Sequence, residues 1–66
     1  MEIWVNGELV DVALQTTVLQ WLNEQKVVLE SAIIELNEAI LSQDRWESTV
    51  LQNGDRLELF LFVGGG

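Results

Sequence analysis

The stretch FLFVGGG, residues 60–66, sets Gly64, Gly65 and Gly66 directly after four large apolar side chains. A carboxylate at Gly66 is the group in this sequence best placed for group-transfer chemistry. Without side chains, three glycines can thread a narrow channel and take backbone angles closed to other residues. A second protein's active site could then reach the terminal carbon. That carbon is a poor electrophile at neutral pH, because an α-carboxyl group ionises near a pKa of about 3.5. It must be activated before a nucleophile can attack, and an acyl-adenylate made from ATP is the expected form. The chain carries no phosphate-binding loop, so an enzyme in trans would supply that step. The alternative is a frayed or adventitious end with no chemistry.

Other catalytic chemistries are thinned out by composition. There is no Cys and no His, which removes Ser-His-Asp and Cys-His nucleophilic sites and zinc sites built on those ligands. Lys26, Arg45 and Arg56 are the only basic residues against a formal net charge of -8, which argues against binding a phosphate backbone. An acidic surface favours solubility and docking on a basic partner. The acidic residues read as a solvated face, and Glu35 and Glu38 as no more metal-like than the rest. No apolar run approaches a membrane span and the start does not read as a signal peptide, so a cytoplasmic setting is expected.

The elements that would position the tail follow from period and turn chemistry. MEIWVNGELVDVAL alternates on both sides of Asn6-Gly7, a strong β-hairpin signal. Thr17 and Gln20 fit a capping box, and Val18, Trp21 and Leu22 form one apolar stripe of a helix ending near Lys26. SAIIELNEAIL predicts a strand, a turn at Asn37-Glu38 and a short strand over 39–41, with Ala32, Ile34 and Leu36 inward and Ile33 and Glu35 outward. SQDRWEST suggests a short helical turn covering Trp46, and QNGD a turn before the closing strand RLELFLFV. In that strand Leu57, Leu59, Leu61 and Val63 are expected on the core face and Arg56, Glu58, Phe60 and Phe62 on the other. Trp21 and Trp46 read as core.

A chain of 66 residues buries only about 60% of its unfolded surface, so one domain with a marginal core is expected, held by packing alone. The predicted fold is α+β: a mixed four- to five-stranded sheet with one main helix packed on one face. A right-handed wrap of the hairpin-helix unit lays the first and last strands side by side and parallel. That is the ubiquitin-like β-grasp, with 1–66 as a single domain and 64–66 as its flexible tail.

Placed in order, VNGE, TV opening the helix, ELN then IL and a tryptophan, LQNGDRLEL and the closing FVGGG resemble the sulfur-carrier proteins of thiamine biosynthesis, the ThiS type. The resemblance covers essentially the whole chain. The sequence departs from the pattern at Glu38, where members often have Gly after Asn, and at Ser42-Gln43, where they often have Pro-Arg. Members also tend to carry a glycine ahead of the third strand, and this chain has none there. The resemblance implies no bound cofactor and a cycle on Gly66. An E1-like, ThiF-type enzyme would adenylate Gly66 with ATP and Mg²⁺. Sulfur from a cysteine desulfurase would convert it to a thiocarboxylate, and a ThiG-type thiazole synthase would take that sulfur. Gly64 and Gly65 would be the slender lead, and the chain a cosubstrate rather than an enzyme. Two alternatives stand beside this: a carrier for molybdopterin or another sulfur pathway, and a non-covalent ubiquitin-like adaptor.

Ordering three glycines in a channel costs roughly 1–2 kcal/mol per residue, so a surface on the body must supply affinity. Trp4, Phe60 and Phe62, with Ile33 beside them and Val63 at the root of the tail, are the expected partner interface. Exposed apolar patches and aromatic anchors mark such surfaces. The competing reading is that strand parity is shifted or a loop covers them.

Overall fold

Asn6 and Gly7 take φ of 48° and 85°, the mirror-image turn whose twist matches its flanking strands. That turn joins β1 (Glu2–Val5) to β2 (Glu8–Asp11) with Val5 opposite Glu8. A computed structural model describes residues 1–62. The remaining elements are α1 (Val18–Gln25), β3 (Ala32–Leu36), β4 (Ala39–Leu41) and β5 (Arg56–Leu61), with short 3-10 turns at Leu29–Ser31 and Gln43–Arg45.

The five strands form one sheet in the order β2-β1-β5-β3-β4. β1 and β5 run parallel, and the other neighbours are antiparallel. This is the β-grasp fold, with the closing strand at the centre of the sheet. Three asparagine side chains extend the main-chain ladder where the strands meet turns. Asn6 Oδ1 accepts from the Leu59 amide at 2.9 Å, Asn37 Oδ1 from the Arg56 amide at 2.9 Å, and Asn53 Oδ1 from the Glu2 amide at 2.9 Å.

The predicted capping box is present. The Gln20 amide donates to Thr17 Oγ1 at 3.1 Å, and the Thr17 amide donates to Gln20 Oε1 at 2.9 Å. The next orphan amides go to the 46–51 segment: Val18 N–H to the Thr49 carbonyl at 2.9 Å and Leu19 N–H to the Trp46 carbonyl at 3.0 Å. The start of the helix is therefore fully satisfied by the chain itself. At the other end Lys26 takes φ 58° and closes α1 in the left-handed region, where glycine is commoner.

α1 lays Val18, Trp21 and Leu22 on the sheet, against Ile3, Ile34 and Leu57, with Trp46 and Leu51 closing the side. Each fully buried aliphatic side chain contributes about 1.5–3 kcal/mol of transfer free energy. The Trp46 indole is buried, as expected, and its Nε1–H donates to the Leu41 carbonyl at 3.0 Å. One expectation fails: Leu61 is 48% exposed rather than in the core. A helix of eight residues is about 12 Å long, whereas a six-residue strand runs about 20 Å, so the far end of β5 passes beyond the cover. Among the described residues no helix is long and apolar enough to cross a membrane.

Candidate functional site: the open sheet face and the end of the central strand

Alternation along β5 sends Leu57 and Leu59 toward α1 and Arg56, Glu58 and Phe60 to the opposite face. Register then fixes what stands beside them. Phe60 is opposite Ile33 and Glu58 opposite Glu35, while Trp4 on β1 is level with Arg56. Nothing among the described elements covers this face. Trp4 is 41% exposed, Phe60 45% and Phe62 63%, and Ile33 is half-buried beside Phe60. The parity inferred from the sequence therefore places Trp4, Ile33 and Phe60 on this face as expected, with no loop across them, and Phe62, past the end of β5, is exposed.

The structure brings Ile33 and Phe60 together as a cross-strand aromatic and β-branched pair, an arrangement that stabilises a sheet by about 0.2–1 kcal/mol. It does not bring Trp4 to them. Four residues of β5 separate the level of Trp4 from that of Phe60, about 13 Å along the strand, with Arg56 beside Trp4 and Glu58 in the interval. A shallow cavity of about 300 Å³ opens there, lined by Trp4, Gly7, Arg56, Leu57 and Glu58.

Two members of the face were missed in the sequence. Leu9 stands opposite Trp4 and is 49% exposed, and Ile40 stands opposite Glu35 and is 72% exposed. The signal was available. A two-residue turn fixes the register of its hairpin, so counting outward from Asn6-Gly7 and Asn37-Glu38 puts both on this face.

β5 ends at Leu61, and the Phe62 amide still donates to the Ser31 carbonyl at 2.8 Å. The central strand thus delivers the chain to the edge of the open face. Val63, Gly64, Gly65 and Gly66 lie outside the described residues. Among the described residues no three acidic side chains gather in a way that could hold a metal ion.

The ThiS family model matches residues 3–66. The chain belongs to the ThiS family. It is a ubiquitin-like β-grasp protein of the sulfur-carrier type. The match runs from β1 to the last residue, Gly66. Among solved structures, the crystal structure of thiamine biosynthesis protein ThiS from Geobacter metallireducens is similar over 100% of both chains, at 33% identity and a TM-score of 0.85. A solution structure of a thiamine biosynthesis protein from the same organism is 35% identical, with a TM-score of 0.82 over 100% of this chain and 88% of that one. No curated protein sequence matches the chain.

Proposed function

We propose that Gly66 carries the sulfur in this ThiS-family protein, as a C-terminal thiocarboxylate used to build the thiazole of thiamine. The observation that supports this most is the family match over residues 3–66, on a body whose central strand ends at Leu61, with Gly64, Gly65 and Gly66 following in the sequence. The names of the two similar structures direct the reading to thiamine biosynthesis.

The steps follow from the carboxylate. An E1-like adenylyltransferase of the ThiF type joins the Gly66 carboxylate to AMP, with Mg²⁺ on the phosphates, and releases pyrophosphate. The sulfane sulfur of a cysteine-desulfurase persulfide attacks the acyl carbon and AMP leaves. The acyl disulfide so formed is cut by a thiol, whose two electrons leave sulfide on the acyl carbon. A ThiG-type thiazole synthase then takes that sulfur. The carrier's own part is presentation: Gly64 and Gly65 thread the partner's channel, and the face bearing Trp4, Ile33, Phe60 and Phe62, with Val63 at the tail root, holds the body against the enzyme.

Intact mass spectrometry tests the reading. After incubation with ATP, Mg²⁺, the activating enzyme, a desulfurase and a thiol, the carrier gains about 16 Da, as oxygen-to-sulfur exchange at the acyl carbon requires. Deleting Gly66 abolishes the gain. An unchanged mass in the complete mixture overturns the proposal and leaves a non-covalent adaptor. Thiazole formation by the synthase, as against sulfur delivery to a different acceptor, distinguishes the pathway served.

A further inference from the structure

We infer that Glu35 and Glu58 form a seat for a basic side chain, arginine by its geometry, on the activating enzyme. The inference rests on reading the open sheet face as that enzyme's docking surface. The two carboxylates stand on neighbouring central strands, directly opposite in register, on the exposed side of the sheet. Like charges so placed oppose the pairing of their strands. The structure does not relieve them: among the described residues the one ion pair within 4.0 Å joins the N-terminal ammonium to Asp11.

Position turns this local cost into a demand on the partner. Trp4 lies to one side of the pair, while Ile33 and Phe60 lie one step along the same strands. Ile40 stands opposite Glu35 on the third side. A protein that covers these apolar side chains must cover the carboxylates as well. Removing an ionised carboxylate from water without a counter-charge is heavily unfavourable. Arg56, on the same face of β5, can offset one negative charge and leaves the other. The covering surface must therefore carry a cation at this point. A planar guanidinium can donate to two carboxylates at once, which a lysine ammonium does less well. The cavity between Trp4 and Glu58 gives a long side chain room to enter, and the indole offers a cation a favourable face. The carboxylate pair would in this way select among adenylating enzymes, because an enzyme presenting an apolar or acidic residue here is rejected.

The test uses Glu35→Gln, Glu58→Gln and the double variant in the full-length carrier. Binding to the activating enzyme is measured by calorimetry, adenylation by ATP–pyrophosphate exchange, and Tm on the carrier alone. The double variant is expected to raise Kd by about 10-fold or more and to flatten its salt dependence, with exchange at saturating carrier unchanged. Its Tm is expected to hold or rise by roughly 1–5 °C, since a cross-strand repulsion is gone. Unchanged Kd in the double variant, with the wild type bound and adenylated, overturns the inference and leaves the proposed function standing. A fall in Tm with the loss of binding overturns it too, by making the pair structural. If the wild-type carrier is not adenylated at all, the proposed function fails, and the inference fails with it.

Discussion

Asn37 and Glu38 form the turn between β3 and β4 with φ of 53° and 73°. The same mirror-image turn at Asn6-Gly7 uses glycine in its second position, where a Cβ is unfavourable. Here a glutamate holds that conformation, at a cost of about 1–2 kcal/mol relative to an unstrained backbone. What retains the turn is Asn37. Its Nδ2 donates to Asp55 Oδ1 at 3.0 Å, its amide donates to the Arg56 carbonyl at 2.7 Å, and its Oδ1 takes the Arg56 amide. Glu38→Gly should therefore stabilise the protein by about 0.5–1 kcal/mol, the strain relieved less the extra freedom glycine has when unfolded. Urea denaturation reads this as a higher midpoint at unchanged slope; a lower midpoint would show that Glu38 makes a compensating contact. The turn itself was legible from Asn37-Glu38 between two apolar runs. The pins that hold it join residues 18 or 19 apart, and no local pattern reports those.

At the scale of elements, what the sequence made plain was local. The hairpin follows from two turn residues, and the helix start from Thr17 and Gln20. A helix of eight residues has little stability of its own, so its cap and its packing both matter. Thr17→Ala should cost about 1 kcal/mol, visible as a lower Tm with the same folded spectrum. The loss stays in that range because the Val18 and Leu19 amides keep their partners in the 46–51 segment. What the sequence did not make plain depends on tertiary reach. Leu61 continues the apolar parity of Leu57 and Leu59 but leaves the area the helix covers, a fact set by two element lengths together. The stop expected near Lys26 is where α1 ends, without a glycine: Lys26 itself takes the left-handed conformation, and its N–H donates a hydrogen bond to the Asn23 carbonyl at 3.2 Å.

For the whole molecule, the arrangement divides the labour between two faces of one sheet. One face is committed to the core and the other is left with aromatic and charged groups. Phe60→Glu tests that division, because the side chain is exposed and its loss removes little packing. The folded spectrum should be retained by circular dichroism, with Tm lower by roughly 1–5 °C as the pairing with Ile33 is lost, while KM for the carrier in the adenylation assay rises about 10-fold or more. Equal KM values would remove Phe60 from the interface. Which side chains share the open face could be read from alternation and turn register. That Trp4 stands about 13 Å from Phe60 could not, because it depends on how β1 slides against β5, a pairing between opposite ends of the chain.

The central place of β5 has a mechanical consequence. Paired with β3 along its length and with β1 over its first two residues, the strand loads those bonds in shear together when pulled along its own axis, instead of opening them one after another. A force applied at Phe62 along the strand is therefore shared across the ladder rather than concentrated on its last bond.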